Sequence, residues 1–150
     1  MILLDAYALI AFVREEPAAA EVEELLREWD TGVTAYNFAE ALDVLQRVHR
    51  VPEERVRGVI EPLLAGELEL VSTGAEEAWR AGALRVRHYR KRVRELSLAD
   101  CILLAHGRNG DRIATADPAV VAVARAERIE TVALPDSSGR RSCIKRSGSG

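Results

Sequence analysis

The sequence predicts an α/β fold, a parallel sheet with helices on both faces. Short apolar runs of β character recur along the chain, and segments of helical periodicity separate them. The 150 residues, 48% hydrophobic and 30% charged, suit one ordinary domain with a single core.

Ile2-Leu3-Leu4 opens the chain as the first strand, and Asp5 directly after it could cap a following helix. Pro17 suits a helix start, with Val22, Leu25, Leu26 and Trp29 on one face. Gly32-Val33-Thr34 is a short second strand. Phe38, Ala41, Leu42, Leu45 and Val48 then form a stripe at spacings of three and four, which predicts a second helix. Further helices are expected over Pro52 to Leu64, Ala75 to about Tyr89, Leu98 to His106 and Pro118 to Ala126. Leu68 to Val71, Arg112 to Thr115 and Thr131 to Leu134 read as the remaining strands. Residues 1–135 make the domain. Residues 136–150 turn to Gly, Ser and Arg and read as a flexible basic tail that adds nothing to the core, with a linker-like end.

Composition excludes several functions. Lys+Arg 21 against Asp+Glu 24 gives a net charge of -3, so the chain does not coat nucleic acid by bulk attraction. Aromatic residues, at 5%, are too few for a base-stacking platform. No run approaches the ~20 apolar residues of a membrane span, and the start lacks the basic residues of a signal peptide, so a cytoplasmic protein is expected. Cys101 and Cys143 form neither a disulfide framework nor a zinc pair.

In parallel α/β sheets the functional site lies beyond the carboxyl ends of the strands. Asp5 follows the first strand there, and Asp117 stands two residues past Thr115 at the end of the fourth. Glu40 and Asp100 interrupt apolar helical segments without an obvious cation partner on the inward face. Each acid also has a structural reading. Asp5 and Asp117 suit N-caps, Ser97-x-x-Asp100 matches a capping box, and Asn37-x-x-Glu40 imitates one. Capping does not explain why four acids fall on elements that share one sheet edge. Carboxylates about 5 Å apart at an effective dielectric of ~20 repel by roughly 3 kcal/mol per pair, and a hard cation removes that repulsion. Oxygen ligands without His or Cys point to Mg²⁺ or Mn²⁺.

Leu3-Leu4-Asp5-Ala6-Tyr7-Ala8-Leu9-Ile10-Ala11, the isolated Glu40, Leu98-Ala99-Asp100-Cys101-Ile102-Leu103-Leu104-Ala105 and Ile113-Ala114-Thr115-Ala116-Asp117 occur in this order. In order and spacing they resemble the PIN-domain ribonucleases, and among these the VapC-like toxins of toxin-antitoxin pairs. The resemblance covers nearly the whole chain up to Pro135. It implies a PIN-like three-layer α/β/α fold with a central five-stranded parallel sheet. It also implies a metal-dependent endoribonuclease, a homodimer and a cognate antitoxin that covers the site. Asp5, Glu40, Asp100 and Asp117 match the family's acidic quartet, and Thr115 its frequent Ser/Thr beside the last acid. Metal held by the four would activate a water for attack on an RNA phosphodiester, and Thr115 would donate a hydrogen bond to a ligand water or phosphate.

Arg80, Arg85, Arg87, Arg90, Lys91, Arg92 and Arg94 follow one another without an intervening acid. This stretch is expected to hold RNA phosphates, with Arg87 and Arg90 as the residues to test; a solvated helix face and an acidic antitoxin segment are the competing readings. Val22, Leu25 and Trp29 are expected to offer an apolar face to an antitoxin helix. A phosphoacceptor domain fails on detail, because the only lysines are Lys91 and Lys145 and Tyr7 stands where an Asp-x-Asp motif needs an acid. A catalytically inactive PIN-fold scaffold binding RNA or protein is the remaining alternative.

Overall fold

The computed structural model describes residues 1–93, 95–107 and 110–142. Five strands, β1 (Ile2–Leu4), β2 (Thr31–Thr34), β3 (Leu68–Val71), β4 (Arg112–Thr115) and β5 (Glu130–Ala133), form one sheet in the order β3-β2-β1-β4-β5. Every pairing is parallel. The connections carry helices α1 (Ala6–Arg14), α2 (Ala19–Glu28), α3 (Ala35–Asp43), α4 (Glu53–Ala65), α5 (Ala75–His88), α6 (Leu98–His106) and α7 (Pro118–Ala126).

Alternation along β1 builds the three layers. Ile2 and Leu4 join a core with Leu9, Val22, Leu45 and Ile60 from α1 to α4 and the turn after α3, while Leu3 points the other way onto Leu84, Leu103 and Val123 from α5, α6 and α7. Side chains of a central strand are thus buried on both faces, which is why β1 reads as an uninterrupted apolar run.

Most expected elements are in place, with shifts at their ends. β2 begins at Thr31, whose hydroxyl donates to the Glu67 carbonyl, and β5 is Glu130–Ala133 rather than 131–134. Leu134 is nonetheless fully buried beyond the strand. The helix expected from Pro17 starts at Ala19. The apolar stripe from Phe38 does not run on as one α-helix, because Val44–Val48 widens into a π-helical turn that leaves Val48 exposed.

The expected docking face on α2 is corrected. Val22 is fully buried in the core and unavailable to a partner, Leu25 is partly buried against the same core, and Trp29 is exposed, stacked by Arg112.

Residues 136–142, the start of the expected tail, make ordered contacts. Asp136 closes a turn through Ser138 and Arg140, Pro135 bridges Arg141, Arg141 pairs with Glu21, and the Ser142 hydroxyl donates to the Ala116 carbonyl. The rest of that segment, 143–150 with Cys143, lies outside the described residues, as does Arg94. No described helix is long and apolar enough to cross a membrane.

Candidate active site at the carboxyl edge of the sheet

Strand order reverses between β1 and β4, and in such sheets the crevice for a ligand opens beyond the carboxyl ends of these two strands. The register sets what lines it. Leu4 pairs with Ala114, so the next residues, Asp5 and Thr115, stand side by side; Leu3 pairs with Gly32, which brings Thr34 level with Asp5 on the other flank. Four helices begin at this edge. Asp5 caps α1 by accepting the Ala8 N–H at 2.8 Å, Thr34 caps α3, Asp100 and Ser97 form a capping box on α6, and Asp117 caps α7 ahead of Pro118.

The capping readings therefore hold for the three aspartates. They do not hold for Glu40, since the cap of α3 is Thr34 accepting the Asn37 N–H, not a pair of Asn37 and Glu40. Capping still leaves each aspartate with an oxygen free of its helix start. In the box, Asp100 Oδ2 accepts the Ser97 N–H at 2.8 Å while Ser97 Oγ accepts the Asp100 N–H at 3.0 Å.

Electrostatics ties the four acids together. Burial pushes the Asp5 carboxyl up to about 7; hydrogen bonds from Thr115 and the Ala8 N–H oppose this, and the charges of Asp100 and Asp117 add to it. Glu40, half-buried, is raised first by burial and then by Asp100, Asp117 and Asp43. Asp100 is raised by burial, against its Ser97 hydrogen bonds, and further by Asp117. Neighbouring carboxylates thus contribute in all three cases, and no cation among the described residues does.

The donor set is oxygen throughout and unneutralised, which fits a hard divalent cation of the Mg²⁺ or Mn²⁺ class. No three described His, Cys, Asp or Glu side chains are grouped closely enough to hold a metal ion as arranged. Thr115, fully buried, gives its hydroxyl hydrogen to Asp5 and accepts the Asp117 N–H at 3.0 Å. It thereby links the first and last acids.

Two neighbours can be assigned. Tyr7 donates its hydroxyl to the Pro135 carbonyl at 3.0 Å, and burial, with Glu16, Asp136 and Asp5 nearby, pushes it up to about 12, so it stays protonated and clasps α1 to the segment after β5. Cys101 is buried and its thiol is pushed up to about 11 by burial and then by Asp100, which keeps it protonated at neutral pH.

The basic stretch leads into this edge through the segment between α5 and α6. Arg87 is paired with Glu127, which also meets His88 at 2.6 Å, while Arg85 stacks on Tyr89 and donates to the Leu96 carbonyl. Arg90, Lys91 and Arg92 are exposed with no carboxylate partner among the described residues. A large concavity lined by Met1, Trp29, Asp30, Glu67 and Glu69 lies at the opposite, amino ends of the strands and has no part in the acid cluster.

The sequence offers Asn37 only as an imitation of a capping box with Glu40, and the structure gives it another place. It is fully buried beside the Thr34 cap, and its Nδ2 has no hydrogen-bond partner among the described residues. The signal was present in the spacing Thr34-x-x-Asn37-x-x-Glu40, one turn apart along a single helix face.

The family model described as PIN domain matches residues 2–126. No curated protein sequence matches the chain significantly. Among solved structures, VapC20 of Mycobacterium tuberculosis, described as a sarcin-ricin loop cleaving toxin, is similar at 18% identity and a TM-score of 0.66, over 81% of this chain and 94% of that one. DNA-bound VapBC from Salmonella typhimurium is similar at 17% identity and a TM-score of 0.65, over 87% of this chain and 96% of that one. VapBC2 from Rickettsia felis, bound to a promoter fragment, gives 15% identity and a TM-score of 0.64, over 89% of this chain and 99% of that one. At these identities the likeness concerns the fold, and it extends along nearly the whole of each compared chain.

Proposed function

The chain belongs to the PIN-domain family, and from that premise we propose that it is a metal-dependent endoribonuclease that hydrolyses RNA phosphodiester bonds as the toxin of a toxin-antitoxin pair. The observation that carries this reading is the convergence of Asp5, Glu40, Asp100 and Asp117 on the switch-point edge, where neighbouring carboxylates help to raise Asp5, Glu40 and Asp100 and no described cation offsets them. A Mg²⁺ or Mn²⁺ ion held by these four would lower the pKa of a bound water and offset charge developing on the phosphodiester. The chain's own contribution is to present carboxylate oxygens on rigid helix starts. Asp5 is fixed by Ala8 and Thr115, Asp100 by Ser97 and Asp117 by the Ala119 N–H at 2.6 Å, so each holds its orientation with no reliance on a mobile loop.

Metal dependence is the first test. Purified protein should melt higher in millimolar Mg²⁺ or Mn²⁺ than in EDTA, since binding to the native state adds about 2.7 kcal/mol at 100 times the Kd, and RNA cleavage should disappear in EDTA. Equal melting in both conditions with cleavage undiminished in EDTA would sink the reading. Equal melting without cleavage in either leaves a PIN-fold scaffold that binds without catalysis.

RNA binding is assigned to Arg90 and Arg92. Arg87, paired with Glu127, is the poorer probe, because its loss also removes one of the contacts between α5 and the end of α7. Replacing Arg90 and Arg92 with Ala should weaken binding to unrelated RNAs alike and reduce the salt slope by roughly one unit for each phosphate no longer neutralised. Unchanged affinity and slope would assign the stretch to a protein partner.

A cognate antitoxin and a second copy of the chain are the partners proposed with this reading. The related folds include the FitAcB structure from Neisseria gonorrhoeae and a toxin-antitoxin complex from Klebsiella pneumoniae, at TM-scores of 0.56 and 0.55. Exposed apolar side chains suited to a protein partner are Trp79 and Val86 on α5 and Leu98 at the start of α6, rather than Val22.

A further inference from the structure

Three of the four acids are anchored and the fourth is not. Asp5, Asp100 and Asp117 each accept a backbone N–H at the helix start they cap, whereas no hydrogen bond from a described residue reaches the Glu40 carboxylate. The converse vacancy stands one turn earlier on α3. Asn37 is fully buried, and its Nδ2 is a donor without an acceptor among the described residues. Its other amide atom is committed, since Asn37 Oδ1 accepts the Thr34 hydroxyl at 2.6 Å while Thr34 Oγ1 accepts the Asn37 N–H at 3.1 Å. Thr34 thereby fixes which way the carboxamide faces, with its oxygen toward the cap and its NH₂ away from it.

Positions i and i+3 share a helix face, with Cβ atoms about 5–6 Å apart, and asparagine and carboxylate side chains at that spacing can meet. A buried donor left unpaired is costly and rare in native proteins, so its persistence calls for an acceptor that arrives in another state of the site. Of the four acids, Glu40 is the one whose carboxylate no described residue anchors. We propose that Asn37 is a positioning residue whose Nδ2 receives the Glu40 carboxylate and holds it toward Asp5, Asp100 and Asp117. The proposal rests on the reading of the four acids as a divalent-cation site, and it adds the residue that completes their anchoring.

The test uses the full chain with Mn²⁺ as the probe and calorimetry as the readout. Circular dichroism and melting without metal verify that each variant is folded. Asn37→Ala and Asn37→Leu, the second filling the volume of the amide, should each weaken Mn²⁺ binding by on the order of 10- to 100-fold, the usual cost of removing a group that orients a metal ligand. Because Asn37 acts through Glu40, adding Asn37→Ala to Glu40→Gln should change Mn²⁺ affinity less than about twofold beyond Glu40→Gln alone. Folded Asn37 variants that bind Mn²⁺ as the wild type does, or losses that multiply in the double variant, overturn the positioning role while leaving the metal site standing. Wild-type protein that binds no Mn²⁺ removes both.

Discussion

Metal-free protein is expected to lose stability as pH rises from 4 to 8, and Asp5→Asn is expected to remove most of that loss. The native state holds the Asp5 proton up to about pH 7, whereas the unfolded chain releases it near 3.8. Between those values the native state binds more protons, so unfolding becomes easier as pH increases. Stability from the protonated form is fully present below the unfolded value and is lost as pH passes through 7. A difference of about three pKa units corresponds to about 4 kcal/mol, a large share of the stability of a domain this size. Glu40 and Asp100 are raised too and act in the same direction, so the wild type minus Asp5→Asn isolates the Asp5 share.

Asparagine keeps an oxygen for the Ala8 N–H, so the α1 cap survives while the buried charge is gone. Urea denaturation in EDTA at pH 4.5, 6 and 8 should show the variant's stability falling less with pH than the wild type's and lying above it at pH 8. The same variant in Mn²⁺ should lose metal-induced stabilisation and on the order of 10²-fold or more in RNA cleavage, as expected for a direct ligand. A wild type whose metal-free stability rises from pH 6 to 8, with Asp5→Asn tracking it, would show that burial of Asp5 exacts no such cost.

How far the site was legible in the sequence depended on what each residue does locally. Ile2-Leu3-Leu4 could be read as a central strand because a strand buried on both faces needs apolar residues at every position, and β1 sits between β2 and β4. Asp5 and Asp117 could then be placed at one edge, since parallel strands end on the same side. The end of the third helix was not legible, because the spacing of Phe38, Ala41, Leu42 and Leu45 continues through the point where Val44–Val48 opens into a π-helical turn. Val22 looked surplus because a surface helix and a helix packed by a neighbour share one periodicity; only the packing of α1 on α2 decides. Asn37 looked like half of a capping box with Glu40, but a donor left unpaired by burial exists only once the fold has placed Thr34 against its oxygen.

The remaining large effect is expected at Asp100, where cap and ligand make opposite predictions. The capping box is present, with Asp100 accepting from the Ser97 backbone at 2.8 Å, so a role confined to the cap would make Asp100→Asn cost the metal-free protein a few tenths to ~1 kcal/mol and leave cleavage largely intact. Asparagine, however, retains an oxygen for the Ser97 N–H, and what it removes is the charge. In the native state that charge is unfavourable on balance, because burial and Asp117 raise the Asp100 pKa further than both Ser97 hydrogen bonds lower it. Above the unfolded carboxyl range, removing it should therefore leave the metal-free protein as stable as the wild type or more so. Stabilisation by Mn²⁺ should shrink and cleavage collapse, because one of four oxygen donors has lost its charge. Melting of wild type and Asp100→Asn at pH 8, each in EDTA and in Mn²⁺, separates the two roles in one experiment. A variant that melts lower in EDTA, yet keeps a normal Mn²⁺ shift and most of its activity, would confine Asp100 to the cap of α6 and leave Asp5, Glu40 and Asp117 as the site.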